Sequence, residues 1–317
     1  MNWKKLLPII GIIILAYILW RFDIGKILSV FSTINPSSLA LCFLGLPFML
    51  LLFTIQWQMI LKRQRIHVSF LCSLKILLIG YFYGLITGGI GTYLNSLYLK
   101  NESKAPLLKC VSNTVTYTTI DLITVLILGT IGGFFLLGQY PQFFIIIVLM
   151  LFFFCFLLIY YLRQKTSKHF FERLLQTQLF KFIQQRVEDP LESFYEDLPS
   201  FRSLVIPFFF SIFSWIVFYT QLYFIAQLFD IHISYFLFLF MLAMTSSIAI
   251  LPISIMGLGT RDAVVVALFS LYSIPPENCI SFTLFWFTLF ILTPSVIGAI
   301  ITVFEHKKLP LKSEEGT

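Results

Sequence analysis

The stretch MGLGTRD, Met256–Asp262, interrupts one of the most apolar regions of the chain with two glycines, a cation and an anion. Glycine adopts positive φ freely, so Gly257 and Gly259 predict a break before the apolar helix that follows. Backbone N–H groups at a helix start and the guanidinium of Arg261 together suit the oxygens of a phosphate group. The pattern therefore predicts an anion site.

The same residues also have a simpler interpretation. Asp262 in the first helical turn is stabilised by the positive end of the helix dipole, and Arg261 then lies at the membrane interface without a ligand. Adjacent helical side chains point about 100° apart, so the two residues are not expected to pair. An arginine beside a helix break in lipid is costly without a partner, which favours the anion site.

Two further ionisable residues, Lys75 and Asp121, lie within apolar segments. The long stem of Lys75 allows its ammonium group to reach the membrane interface. Asp121 lies deeper and needs a partner, for which Lys75 and Arg261 are the candidate cations. A lipid headgroup is the alternative partner for Asp121.

The composition is that of a polytopic membrane protein. Of the 317 residues, 58% are hydrophobic and only 12% are charged, and the mean hydropathy is +0.91. The net charge of +7 gathers at the ends of apolar runs, as at 62–65 and 306–308, so it predicts topology and not nucleic-acid binding. The five cysteines form no CxxC pair and the four histidines are scattered, so neither a metal nor a cofactor is expected.

Apolar runs about 20 residues long predict spanning helices, and basic loops predict the cytoplasmic side. The predicted spans are 6–21, 39–61, 111–137, 142–162, 203–228 and 279–304. The basic loops place both termini in the cytoplasm, and the expected location is the inner, or plasma, membrane of a cell.

Two apolar stretches remain, Phe70–Leu99 and Tyr235–Ser273, and the count of crossings returns each one to the side from which it enters. Each contains a glycine-rich break, Thr87–Thr92 or Gly257–Thr260, with the shared pattern G-[IL]-G-T. The sequence predicts two oppositely oriented re-entrant hairpins, although the second stretch is also long enough for two full spans. The order span, span, hairpin, span occurs twice in opposite directions, which is typical of inverted-repeat transporters with a site near the midplane.

The predicted domains follow this repeat: 1–138 is the first transmembrane repeat, 139–305 is the second, and 306–317 is a cytoplasmic tail. A cytoplasmic insertion at 163–202 carries an amphipathic pattern with apolar residues every four positions: Phe171, Leu175, Leu179, Ile183 and Val187. Its basic residues favour a position on the anionic inner leaflet, and a plain linker helix is the alternative.

The segment Leu251–Ala263 resembles the second signature of the lysylphosphatidylglycerol synthase transmembrane, or flippase-like, family, approximately P-x-S-x-x-G-x-G-x-R-[ED]. Thr87–Gly91 and Tyr98–Leu99 are similar to the first signature, P-G-G-x-G followed by an acidic residue, an arginine and a Y-L pair. The proline, acidic residue and arginine of that signature are replaced here by Thr87, Tyr93 and Ser96. The resemblance implies a standalone flippase-like protein without the soluble aminoacyl-transferase domain of the best-known members, and the replaced charges argue against an aminoacylated lipid as substrate.

The sequence thus predicts a protein that moves a phospholipid or other anionic lipid between leaflets, and a transporter more than an enzyme. The alternatives are an integral membrane transferase acting on a lipid carrier and a noncatalytic partner of a lipid-modifying enzyme. Expected partners are anionic membrane lipids, together with a second copy of the chain or a separate lipid-modifying enzyme. No catalytic residue is predicted. The predicted headgroup-binding residues are Lys75, Gly89, Gly91, Thr92, Asp121, Gly257, Gly259, Thr260, Arg261 and Asp262.

Overall fold

The computed structural model describes residues 25, 29–30, 32, 34–87, 90–136, 138–163, 190–251 and 254–306. The regular secondary structure of these residues is helical, with no strand. The helices are α1 Pro36–Cys42, α2 Gly45–Arg63, α3 Phe70–Thr87, α4 Asn95–Ser103, α5 Leu107–Phe135, α6 Pro141–Leu162, α7 Pro190–Tyr195, α8 Phe201–Gln227, α9 Tyr235–Ala249, α10 Thr260–Phe269, α11 Pro276–Phe287 and α12 Thr293–His306. Short 3₁₀ turns occupy Ile90–Leu94, Ile255–Gly257 and Ser270–Tyr272, and a π-helical turn occupies Thr288–Leu292. The predicted span at 6–21 and the amphipathic pattern at 171–187 lie outside the described residues.

The described part of the chain contains six helical segments that are long and apolar enough to cross a membrane, so the protein is an all-α, multi-pass membrane protein. They are Pro36–Arg63, Phe70–Thr87, Leu107–Phe135, Pro141–Leu162, Phe201–Gln227 and Pro276–Phe304. Five of them match predicted spans to within a few residues at each end. The exception is α3, which the sequence predicts as one limb of a hairpin but which has the 18 residues of a short span.

The two apolar stretches that the sequence predicts as hairpins, Phe70–Leu99 and Tyr235–Ser273, each contain a pair of helices that pack against each other. In the first, α4 returns along α3 far enough for Glu102 to pair with Lys75, near the start of α3. In the second, α9 and α10 pack together with the rings of Phe238 and Phe269 5.6 Å apart. Helix α9 has 15 residues and α10 has 10. At about 22 and 15 Å, both limbs are shorter than the roughly 30 Å of a bilayer's hydrocarbon core.

Each hairpin packs against a long helix from the other half of the chain. Helix α9 lies along α5. A Cβ on Gly129 of α5 would overlap the side chain of Ser247, and a Cβ on Gly132 would overlap the carbonyl oxygen of Phe240. Helix α3 lies along α12, where a Cβ on Gly298 would overlap the carbonyl oxygen of Leu78. The two halves are therefore interlocked through their hairpins, with glycines at both crossings.

Replacing Gly298 by valine is expected to lower the free energy of unfolding by about 1–3 kcal/mol, because the overlap with α3 involves backbone that cannot rotate away. Thermal unfolding in detergent measures the loss. Gly138→Val is the matched control, since nothing lies within 4 Å of an ideal Cβ at Gly138. A Gly298→Val protein as stable as the wild type would contradict the close approach of α3 and α12.

Buried polar side chains join α5 to the helices beside it. The indole Nε1 of Trp57 on α2 donates to Asn113 Oδ1 at 2.8 Å, and Asn113 Nδ2 donates to Gln64 Oε1. On the neighbouring face of α5, Ser112 Oγ lies 2.6 Å from the hydroxyl of Tyr161 on α6. Lipid acyl chains offer no hydrogen-bond partners, so these polar groups must bond to one another. Their bonds therefore fix the position of α5 relative to α2 and α6.

Ion pairs attach the loop after α7 to the start of α5 and the end of α2. The ammonium group of Lys109, which is 5% exposed, lies 2.9 Å from Glu196 and 2.7 Å from Asp197. Arg65 adds a third pair, at 3.4 Å from Asp197. Because Lys109 is buried, its two carboxylate partners are what allow it to stay charged there.

The stabilising contribution of Asp197 should be lost in acid. A hydrogen bond from Lys109 holds the pKa of Asp197 below its ordinary value of 3.8. A carboxyl group with a lowered pKa in the folded state stabilises the fold fully above its unfolded-state pKa, and loses that effect as the pH falls through the folded-state value. The difference in thermal stability between wild type and Asp197→Asn should therefore shrink from about pH 5 to about pH 3. A difference that is constant over this range would contradict the pairing.

Candidate functional site

The tip of the second hairpin is a turn built from unusual backbone. Met256, Gly257 and Gly259 have φ values of 50°, 80° and 86°, a backbone conformation that residues other than glycine rarely adopt. The hydroxyls of Ser254 and Thr260 lie 2.6 Å apart and close the turn. Left-handed backbone at a residue such as Met256 stores strain of the kind that is concentrated at ligand sites.

Directly after this turn, Arg261 lies in the first turn of α10 and is 2% exposed. Its Nη2 donates to the carbonyl oxygen of Thr283 on α11 at 3.1 Å. The guanidinium carbon lies 4.6 Å from the centre of the Trp286 ring, close enough for a cation–π contact. The remaining nitrogen, Nη1, is buried and has no hydrogen-bond partner within the described residues.

Arg261 and Asp262 pair, contrary to the expectation from helix geometry. Arg261 donates to Asp262 Oδ1 from Nε at 3.2 Å and from Nη2 at 2.9 Å. The other carboxylate oxygen, Oδ2, accepts the N–H of Gly259 at 2.8 Å. The Cα–Cβ bonds of the two residues point in different directions, but the long arginine side chain folds back over its neighbour. Asp262 is completely buried, so it both caps α10 and neutralises Arg261.

Arg261 lines a cavity of about 380 Å³ in the middle of the helix bundle, bounded by α2, α3, α5, α8, α9, α11 and the π-helical turn after α11. Asp121 lines the same cavity. Seven aromatic residues line it as well, among aliphatic side chains and Ser246: Phe53, Tyr81, Tyr117, Trp215, Phe218, Trp286 and Phe290. The cavity therefore combines one cation and one carboxylate with ring faces and a few hydroxyl groups.

Asp121 lies midway along the 29 residues of α5 and is held by neutral donors. Its Oδ1 accepts hydrogen bonds from Trp215 Nε1 at 2.8 Å, Ser211 Oγ at 3.3 Å and Gln56 Nε2 at 3.4 Å. Its Oδ2 accepts none from the described residues. Neither predicted cation forms an ion pair with it, because Lys75 pairs with Glu102 and Arg261 pairs with Asp262.

The predicted site residues fall into separate groups. Arg261 and Asp121 share the cavity, while Asp262, Gly259, Gly257 and Thr260 form the turn and helix start that position Arg261.

The first hairpin contributes differently from the prediction. Lys75 and Gly91 do not line the cavity, and a Cβ on Gly91 would overlap the carbonyl oxygen of Tyr83. Gly91 is thus needed for close packing within the hairpin. The backbone of Thr92 lies in the 3₁₀ turn beside it, and Gly89 lies outside the described residues.

Two features of the cavity are absent from the sequence prediction: its aromatic residues, and the π-helical turn at Thr288–Leu292 that brings Phe290 and Ile291 to it. Pro294, two residues after this turn, is the residue in the sequence that indicates it. Proline within a span has no N–H for the preceding helical turn, and single π-helical turns occur frequently at functional sites. Trp215 and Trp286 carried a weaker signal, since a buried indole needs a partner for its N–H.

Comparison with known proteins agrees with this architecture. The family model for the lysylphosphatidylglycerol synthase TM region matches residues 8–298 of the chain. A search of curated proteins found no significant match. The matched range includes both hairpins, the cavity, five of the six membrane-spanning segments of the described residues and most of the sixth, Pro276–Phe304. The chain therefore belongs to the lysylphosphatidylglycerol synthase TM region family, and is a multi-pass membrane protein linked to lipid modification or flipping.

Proposed function

We propose that the protein is a flippase-like transporter that moves an anionic phospholipid between leaflets, with the phosphate of the headgroup bound at Arg261. The observation that carries this proposal is that Nη1 of Arg261, a side chain that lines the central cavity, is buried and has no hydrogen-bond partner among the described residues. A buried donor left without a partner costs roughly 1–3 kcal/mol. A phosphate oxygen at Nη1 would remove that cost and would form a strong, charge-assisted bond.

The depth of the cavity supports a role in crossing the bilayer. Asp121 is at the midpoint of α5, and Arg261 contacts Thr283 and Trp286, well inside the membrane-spanning segment Pro276–Phe304. The short limbs of the second hairpin favour a re-entrant structure that enters from one face, opposite to the first hairpin. This is the arrangement of inverted-repeat transporters, whose substrate sites lie near the midplane.

The size and lining of the cavity suit a headgroup whose acyl chains stay outside. A cavity of about 380 Å³ is at the small end of ligand sites, so it would enclose the phosphate and its polar substituent. The acyl chains would remain in the bilayer, against the lipid-facing surface of the bundle. By the basic-loop rule, the loops at 62–67 and 163–202 would face the cytoplasm and the protein would lie in the inner, or plasma, membrane.

Reconstitution tests the proposal. Purified protein in liposomes is supplied with phosphatidylglycerol bearing a fluorescent short acyl chain, and albumin then extracts the label from the outer leaflet only. We expect the protein to make the inner-leaflet label extractable as well, whereas in protein-free liposomes it stays protected. Protection that persists with the protein present, for phosphatidylglycerol and for other anionic phospholipids alike, would contradict lipid transfer.

The opposed hairpins are tested separately, by labelling cysteines introduced at Ser103 and Pro276 in a cysteine-free background. Ser103 ends the first hairpin and Pro276 follows the second, so a membrane-impermeant thiol reagent should reach them from opposite sides. Labelling of both positions from the same side would rule out the inverted topology.

A further inference from the structure

Asp121 is a carboxylate at mid-bundle with no fixed cation among the described residues. Among the described residues, its hydrogen-bond partners are the neutral donors of Gln56, Ser211 and Trp215, all on Oδ1. A carboxylate this deep in a membrane protein is costly when ionised and unpaired. Such a group must therefore spend part of its time neutralised by a proton or by a mobile cation.

The groups around Asp121 suit a proton better than a metal ion. The titratable side chains that face it are the phenols of Tyr81 on α3, Tyr117 on α5 and Tyr219 on α8, and Arg261 on α10 lines the same cavity. Helices α2 and α9 contribute the uncharged side chains of Gln56 and Ser246 near it.

Hard cations require a shell of several oxygen ligands. Around Asp121, the oxygens without a hydrogen-bond partner among the described residues are its own Oδ2, the buried Oε1 of Gln56 and the hydroxyl of Tyr219. One carboxylate oxygen and two neutral oxygens fall short of such a shell. A proton needs only Oδ2.

We propose that Asp121 binds and releases a proton that is transported together with the lipid headgroup. Because Arg261 and Asp262 neutralise each other, the charge of the site is set by Asp121. With Asp121 ionised the site is negative and repels a phosphate, and with Asp121 protonated it is neutral. In the binding step a hydronium ion gives its proton to Oδ2 and becomes water, and on release the O–H bond at Oδ2 breaks and the proton returns to water on the other side.

Proton and anionic headgroup therefore favour each other's binding, since coupling between two ligands is reciprocal. The lipid and the proton should move in the same direction. For a lipid with one negative charge the joint movement carries no net charge, so a pH difference should drive it and a membrane potential should not. This inference rests on the proposed function, because it concerns the energy source for the same movement of lipid.

The test uses the same liposomes and fluorescent phosphatidylglycerol, now with a pH difference of one unit across the membrane. One proton per lipid predicts a roughly tenfold excess of label in the leaflet that faces the alkaline side. The excess should reverse when the gradient is reversed, and it should be unchanged by a potassium-diffusion potential. In Asp121→Asn the label should distribute evenly at any pH difference, because the amide cannot take up the proton while it keeps an oxygen for Trp215.

The control variant is Asp230→Asn, whose carboxylate is 85% exposed in the loop after α8 and should leave the tenfold excess intact. Transfer by the wild type with no leaflet asymmetry would overturn the coupling and leave the flippase function standing, whereas no transfer at all would overturn both. An asymmetry driven by a sodium gradient, or one that persists in Asp121→Asn, would also overturn the assignment of the proton to Asp121. An effect of Asp121→Asn restricted to amine-bearing lipids would instead make Asp121 a headgroup ligand.

Discussion

Replacing Arg261 by alanine is expected to slow the transfer of phosphatidylglycerol by about tenfold to a hundredfold, which corresponds to the loss of one charge-assisted hydrogen bond. The guanidinium supplies the donor Nη1, which has no partner among the described residues, and it is held in place by Asp262, Thr283 and Trp286. Transfer is measured as the rate at which inner-leaflet label becomes extractable by albumin.

Two further variants separate the role of Arg261 in binding from its role in folding. Arg261→Lys keeps the positive charge but loses the planar fork, so a lysine cannot hold Asp262 and a phosphate with the same geometry. We expect it to retain more stability than alanine while still transferring slowly. Arg202→Ala removes an exposed cation at the start of α8 and should transfer at the wild-type rate. Wild-type transfer by Arg261→Ala would remove the basis of the phosphate site.

Replacing Asp262 by alanine is expected to cost about 3–5 kcal/mol of stability, the largest effect on folding predicted for any single residue here. The change leaves the 2%-exposed Arg261 without its counter-ion and leaves the N–H of Gly259 without its acceptor. The unfolding temperature in detergent should fall by roughly 10 °C.

Asp262→Asn should lie between alanine and wild type, because the amide keeps one oxygen acceptor but not the charge. The control is Asp230→Ala, which removes an exposed carboxylate and should change the unfolding temperature little. If Asp262→Ala unfolds at the wild-type temperature, the pair with Arg261 is not a structural requirement. The energetic argument for a fixed, preoriented guanidinium would then fail.

The sequence predicts the membrane class and five of the six membrane-spanning segments of the described residues well, because each depends on local composition. Apolar length, basic loops and glycines act within about 20 residues, and such features are visible in one chain. The break at Gly257 and Gly259 is an example, since both residues have the positive φ that the pattern requires.

The arrangement of the site was less predictable, because it depends on contacts between distant segments. Asp121 accepts hydrogen bonds from Trp215 and Gln56 because α5 packs against α8 and α2. The sequence near Asp121 contains no pattern that predicts those partners. The choice of Lys75 as a partner failed because α4 brings Glu102 closer. The pairing of Arg261 with Asp262 depends on side-chain torsions that a helical wheel ignores.

The exchange of hairpins between the two halves has a consequence for biosynthesis. Helix α3 packs on Gly298 of α12, near the far end of the described chain, so its partner surface is made long after α3 itself. At about 5–20 residues per second, the ribosome needs roughly ten seconds or more to reach α12 after α3 has been made. During that interval the first hairpin must wait in the bilayer without the surface that covers it. Insertion factors or neighbouring lipids would have to shield it until the last helix arrives.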